Sequence, residues 1–128
     1  MKKLIIAFIL PLLFACSKVE ETQPDFTANL AGSKFRAKAW VNDSFGQVYQ
    51  VLDFKSNNKV EFSLRLSNNS IVNEDYTVTS SYKVISNTQI EITHKGYTDI
   101  NAEVNKAIVT GDVLSISQGS LKGVYEKY

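Results

Sequence analysis

The sequence predicts an all-β domain: an antiparallel β-sandwich or flattened barrel of about eight to ten short strands, preceded by a lipoprotein signal peptide. Three observations lead there. Short runs that alternate apolar and polar residues recur along the chain, separated by turn residues. No segment beyond the leader carries a convincing amphipathic-helix stripe. Gly111-Asp112 is a two-residue hairpin signal whose flanking runs match in apolar phase.

Lys2 and Lys3 open the chain, residues 4–14 are apolar and uncharged, and Ala15 precedes Cys16, the single cysteine. A basic start, a short apolar run and a small residue at the cleavage point form a secretory signal, here residues 1–15. A membrane span needs about 20 apolar residues; this run is about half that, and Pro11 interrupts it. Leu13-Phe14-Ala15-Cys16 resembles the lipobox of bacterial lipoproteins, with Phe14 bulkier than that position usually holds. The resemblance implies cleavage before Cys16, a diacylglyceryl group on its sulfur and a further acyl chain on its nitrogen. Two or three acyl chains anchor stably where one binds only reversibly, so the membrane is the expected partner of Cys16. With the only thiol lipidated, no disulfide is available within the chain.

Residues 16–24 read as the lipidated cysteine and a polar tether. Extended at about 3.3–3.6 Å per residue, the tether holds the domain roughly 20 Å from the bilayer. Residues 25–128 form one antiparallel β domain, large enough to bury about 65% of its unfolded surface. Residues 26–30 are a short strand candidate with Phe26, Ala28 and Leu30 on one face. Residues 31–33 turn into a strand over 35–41, with Phe35, Ala37, Ala39 and Val41 on one face and Arg36, Lys38 and Trp40 on the other. Residues 42–46 turn into a strand over 47–54, in which Tyr49 alternates against Leu52 and Phe54. Residues 59–67 are the clearest strand. Val60, Phe62, Leu64 and Leu66 point one way, so a one-residue slip would expose all four.

A polar loop over 68–75 leads to two short strands, 76–78 and 82–84. Residues 89–94 form the next strand and 96–101 a loop. Residues 103–107 are ambiguous between extended chain and a helical turn. A type II′ turn at Gly111-Asp112 pairs Thr110 with Val113, Val109 with Leu114 and Ala107 with Ile116. Gly119 and Gly123 bracket Leu121, and residues 124–127 close the domain.

Phe26-Thr27-Ala28-Asn29-Leu30-Ala31-Gly32-Ser33-Lys34-Phe35-Arg36-Ala37 and Ile116-Ser117-Gln118-Gly119-Ser120-Leu121 resemble small envelope lipoprotein domains of unknown function from Bacteroidota-type bacteria. That resemblance implies a place in the cell envelope, on the outer membrane at its periplasmic face or the cell surface. It brings no known activity. Leu30, Gly32 and Phe35, with Gly123-Val124-Tyr125, also resemble bacterial lipocalin-like domains, although Phe35 stands where those often carry tryptophan. This second likeness implies a barrel able to carry a small apolar ligand.

Composition narrows the function. Loss of Lys2 and Lys3 leaves Lys and Arg one short of the 13 Asp and Glu. Such a balance argues against a nucleic-acid partner, which would favour a basic face. His94 is the only histidine, so a Ser-His pair has one possible base and a zinc site would rest on carboxylates. At a strand end it reads as an ordinary polar residue. No Gly-rich phosphate loop is present. The expectation is a non-enzymatic binding domain with no cofactor and no metal. Trp40 and Tyr49 are the candidate ligand-binding residues, because aromatics on a polar strand phase can stack on a sugar or meet a protein.

Overall fold

The computed structural model describes residues 30–95 and 101–128. The leader, Cys16, the tether and most of the strand expected over 26–30 lie outside the described residues, as does most of the loop over 96–101.

Among the described residues, eight antiparallel strands close into one up-and-down barrel in which each strand pairs with its sequence neighbours and the last returns to the first. They are β1 (Lys34–Asn42), β2 (Gly46–Phe54), β3 (Lys59–Leu66), β4 (Val78–Val84), β5 (Gln89–His94), β6 (Glu103–Thr110), β7 (Val113–Ile116) and β8 (Gly123–Lys127). A 3₁₀ turn, Glu74–Tyr76, interrupts the β3–β4 connection. Its cap is Asn73, whose Oδ1 accepts from the Asp75 N–H at 2.9 Å. The barrel, rather than the sandwich, is the form taken.

An eight-stranded barrel is just wide enough inside for side chains to fill it. Here Phe35, Leu52, Phe54, Val60, Tyr82, Ile90, Ile92, Val109, Leu114 and Tyr125 belong to one buried cluster. Phe54 takes Phe35 edge-on at 5.9 Å between ring centroids and Tyr82 at 5.0 Å, the geometry aromatic quadrupoles favour. Burying a Leu, Ile or Phe contributes roughly 1.5–3 kcal/mol, and these inward positions are those of the alternating pattern. Leu30 seals the end at which the chain joins the barrel. It belongs to the same cluster, and the Gly32 N–H donates to Phe54 O at 2.7 Å while the Phe54 N–H donates to Ser33 O at 2.9 Å. That closed end also carries the turns over 55–58, 85–88 and 111–112. The opposite, loop end carries the longer connections.

The Gly111 hairpin forms in the expected register, Thr110 opposite Val113, Val109 opposite Leu114 and Ala107 opposite Ile116. Gly111 has φ 57° and Asp112 is not in the positive region, the combination of a type II′ turn. Two expectations are corrected and one ambiguity is resolved. Of the short strands expected at 76–78 and 82–84, residues 78–84 form one strand, β4, while Tyr76 lies in the 3₁₀ turn. Ser80 faces the interior opposite Val60 and bonds a buried partner there, so its hydroxyl does not break the strand. Residues 103–107 are strand throughout, held between β5 and β7. In β1 the register shifts between Lys38 and Trp40. The extra residue, Ala39, is a β-bulge, and beyond it the two faces exchange. Trp40 lies opposite inward-facing Val48, and Val41 turns outward opposite Gln47. Trp40 therefore does not share a face with Arg36 and Lys38.

Candidate functional site

The bulge determines what the loop end presents. β1 and β2 run past the packed core and turn over at residues 43–45, where Asn42 Oδ1 accepts from the N–H groups of Ser44 and Phe45 at 2.9 and 3.1 Å. Trp40 is 46% and Phe45 63% exposed there, and Tyr76, on the 3₁₀ turn, is 40% exposed. Residues 70–72 fold back on β3: Arg65 bridges Ile71, and the Val72 N–H donates to Leu64 O at 2.9 Å. The connection thereby adds exposed Val72 to the same rim.

Beneath the rim, the inner wall turns polar. His94 is 3% exposed, with its Nδ1 2.7 Å from Ser80 Oγ and its ring edge-on to Phe62 at 5.5 Å. It is a buried group, not the ordinary strand-end residue expected from its position. Glu103 lies directly across the ladder from His94, and Asn105 across from Ile92. Both reach the β7–β8 connection. Glu103 accepts from the Ser120 N–H at 3.1 and 3.2 Å, and Asn105 Oδ1 accepts from the Leu121 N–H at 3.4 Å. Gly119 has φ +88°, and a Cβ there would collide with Glu103 Oε1 and Asn105 Oδ1, so glycine is what lets this loop lie down on the barrel. Asn105 is 1% exposed, and its Nδ2 has no hydrogen-bond partner among the described residues; the same holds for Thr77 Oγ1.

Tyr125 spans the barrel. Its hydroxyl donates to Leu121 O at 2.8 Å and lies 3.0 Å from Gln50 Oε1 on β2. Burial pushes its pKa well above the usual tyrosine range. Among the described residues no three His, Cys, Asp or Glu side chains come together as a metal site.

Tyr49 lies elsewhere. It faces outward, opposite Lys38 on one side and Arg65 on the other. The Arg36 guanidinium carbon is 4.8 Å from the Tyr49 ring centroid and 4.6 Å from that of Tyr128. The two ligand-binding candidates that the sequence suggests thus sit on opposite surfaces of the wall, Trp40 inward at the rim and Tyr49 on the outer face. Arg36 and Arg65 are legible in the sequence only as outward-phase residues. Nothing in the sequence places Tyr128 near them.

Among the described residues, clefts open on the outer wall, and none of the following three is lined by Phe35, Phe62 or Leu64. The largest of them, about 610 Å³, crosses β5 to β8 past Ile108, Ser115 and Val124. The second, about 490 Å³, marks the seam between β1 and β8. These strands share only two residue pairs, Phe35 with Lys127 and Arg36 with Glu126, before they part. The third, about 240 Å³, adjoins Arg36, Tyr49, Arg65 and Tyr128.

No family model matches the sequence, and no curated protein does. Among solved structures, the NMR structure of a protein from Bacteroides thetaiotaomicron is similar, with a TM-score of 0.53 and 17% identity over 80% of this chain and 91% of that one. At that identity the likeness is one of fold. It assigns no activity.

Proposed function

We propose that this protein is a lipid-anchored domain of the bacterial cell envelope, without catalytic activity, that binds a protein or glycan partner through its loop end. The observation that carries this reading is the polarity of the barrel. The chain joins it at the closed end, beside Leu30, whereas Trp40, Phe45 and Tyr76 are exposed at the other. A tether running from Cys16 to the closed end would leave the aromatic rim facing away from the bilayer. Exposed aromatics are enriched where proteins meet partners, and they also stack on sugars. The leader and the resemblance to Bacteroidota envelope lipoproteins support an outer-membrane location, at the periplasmic face or the cell surface.

The carrier of a small apolar ligand draws less support. The closed half of the interior is filled by Phe35, Phe54 and Tyr82, and the loop half offers Ser80, His94, Glu103 and Asn105, groups unsuited to an apolar guest.

A photo-crosslinking residue placed at Phe45, and separately at Asn57 in a closed-end turn, tests the reading in whole cells. The Phe45 probe should capture a discrete protein or glycan, and Trp40→Ala should abolish that product without changing the thermal midpoint. Capture of the same product from Asn57, or lipid alone from Phe45, would remove the proposal's basis. Cys16→Ser should release the protein from the membrane fraction.

A further inference from the structure

We propose that the outer-wall cleft between Arg36 and Arg65 binds a phosphate group. Its lining includes Arg36, Arg65, Ser67, Asn68, Asn69 and Tyr128, and no acidic side chain. Two guanidinium groups line a cleft whose own lining holds no carboxylate, with Glu126 across the β1–β8 ladder from Arg36 and Glu61 beside Arg65 as the acids next to it; the serine and asparagine side chains supply further donors. The Arg36 side chain forms no ion pair and no hydrogen bond among the described residues. It is held instead by the rings of Tyr49 and Tyr128. Contact with ring faces spends none of the guanidinium's N–H donors, which a bidentate oxyanion can take.

The clamp is built from three distant parts of the chain. Arg36 comes from β1 and Tyr49 from β2. Tyr128 follows β8 and is fixed at both ends: its N–H donates to Lys34 O at 3.1 Å, and its hydroxyl donates to Asn69 Oδ1 at 3.2 Å. Its side chain thus lies across the outer wall from β1 to the β3–β4 connection, over Arg36. Arg65 is aimed as well. Nε donates to Ser63 Oγ and Nη1 to Asn69 O, both at 3.0 Å, and Nη2 is 3.7 Å from Glu61 Oε1, a long and partial compensation. Lys38, opposite Tyr49, adds positive charge beside the cleft.

Asp53, another acid of this wall, is engaged elsewhere, taking Lys55 at 2.6 Å and Lys34 at 3.5 Å. A monoester phosphate carries about −1.5 to −2 charge at pH 7 and three acceptor oxygens, which two guanidiniums match better than a single carboxylate would. A cleft of about 240 Å³ suits such a headgroup rather than a drug-sized ligand, for which roughly 300–1,000 Å³ is usual. The group could sit on a soluble phosphorylated sugar or on a membrane lipid.

Isothermal titration of the full chain in nonionic detergent, at constant ionic strength, tests the site with inorganic phosphate, glucose 1-phosphate and acetate. Sedimentation of the unlipidated Cys16→Ser chain with vesicles of phosphatidylcholine, with and without phosphatidic acid, tests the lipid source without the anchor's own insertion. Saturable phosphate binding, weakened about tenfold or more by Arg36→Lys and by Arg65→Lys and unchanged by Lys55→Gln, is expected. Tighter binding of glucose 1-phosphate identifies a soluble ester, and phosphatidic acid-dependent sedimentation lost in the same variants identifies a lipid. Acetate binding as tight as phosphate, equal losses from Lys55→Gln, or no saturable binding to any phosphate probe would overturn the proposal. Circular dichroism of each variant separates loss of the site from loss of the fold, and Arg65→Lys tests the cleft if Arg36→Lys does not fold.

Discussion

Tyr125 shows how one residue ties sequence, packing and pH response together. It comes from the short last strand, fills the barrel and closes the interior side of the β1–β8 seam through Leu121 and Gln50. Burial raises its pKa above the ordinary tyrosine value of about 10. In the unfolded chain the phenol ionises near that value, while in the folded chain it keeps its proton. Below about pH 10 both states hold it and the contribution to stability is complete. Above that, the unfolded state binds fewer protons, so stability falls as pH rises. Urea midpoints should therefore decline above about pH 10, and Tyr125→Phe should flatten that decline. At neutral pH the same variant should lose about 1–3 kcal/mol, because Leu121 O and Gln50 are left without their buried partner. Tyr82, also shifted upward by burial, should keep part of the alkaline slope in the variant.

At the scale of elements, the β1 bulge has the largest consequence. Alternation in β1 holds from Phe35 to Lys38, and a single extra residue then carries Trp40 to the opposite surface. An apolar-polar pattern cannot reveal it, because Ala39 is small enough for either face and Trp40 and Val41 are both apolar. Deleting Ala39 should restore strict alternation, turning Trp40 outward and Val41 inward. Since Trp40 is the only tryptophan, its emission should shift to longer wavelength and its quenching by iodide should rise; an unchanged spectrum would mean the register adjusts elsewhere. β4 is divisible in the sequence for a related reason. Its central Thr-Ser-Ser looks like a turn, but Ser80 finds His94 on the neighbouring strand β5, a partner fourteen residues away. β5 and the Gly111 hairpin are legible in full, because local turn chemistry and apolar phase determine both.

For the whole molecule, closure is uneven. β2 and β3 share seven residue pairs, from Val48–Leu66 to Phe54–Val60, whereas β1 and β8 share two. Fewer ladder bonds protect a seam less, and strands part first where pairing is thinnest. Native-state hydrogen exchange should find the N–H groups of β8 exchanging through a lower-energy opening than those of the β2–β3 ladder. Equal protection would show that the barrel opens only as a unit. The cleft between β1 and β8 is the visible form of this uneven closure, and a phosphate held by Arg36 should slow exchange on the β1 side.

The alternating pattern alone determined that the chain is an antiparallel β domain, which side chains enter its core, and where its best hairpin turns, since these depend on neighbours a few residues apart. The leader motif, read by itself, set the expectation of a lipid anchor. Only the tertiary structure decided that the sheet closes into a barrel of eight strands, that Trp40 and Tyr49 part company, and that Arg36 meets Tyr128. Closure and long-range stacking depend on how accumulated twist, one bulge and the last strand bring distant segments together, and no local pattern of residues encodes that sum.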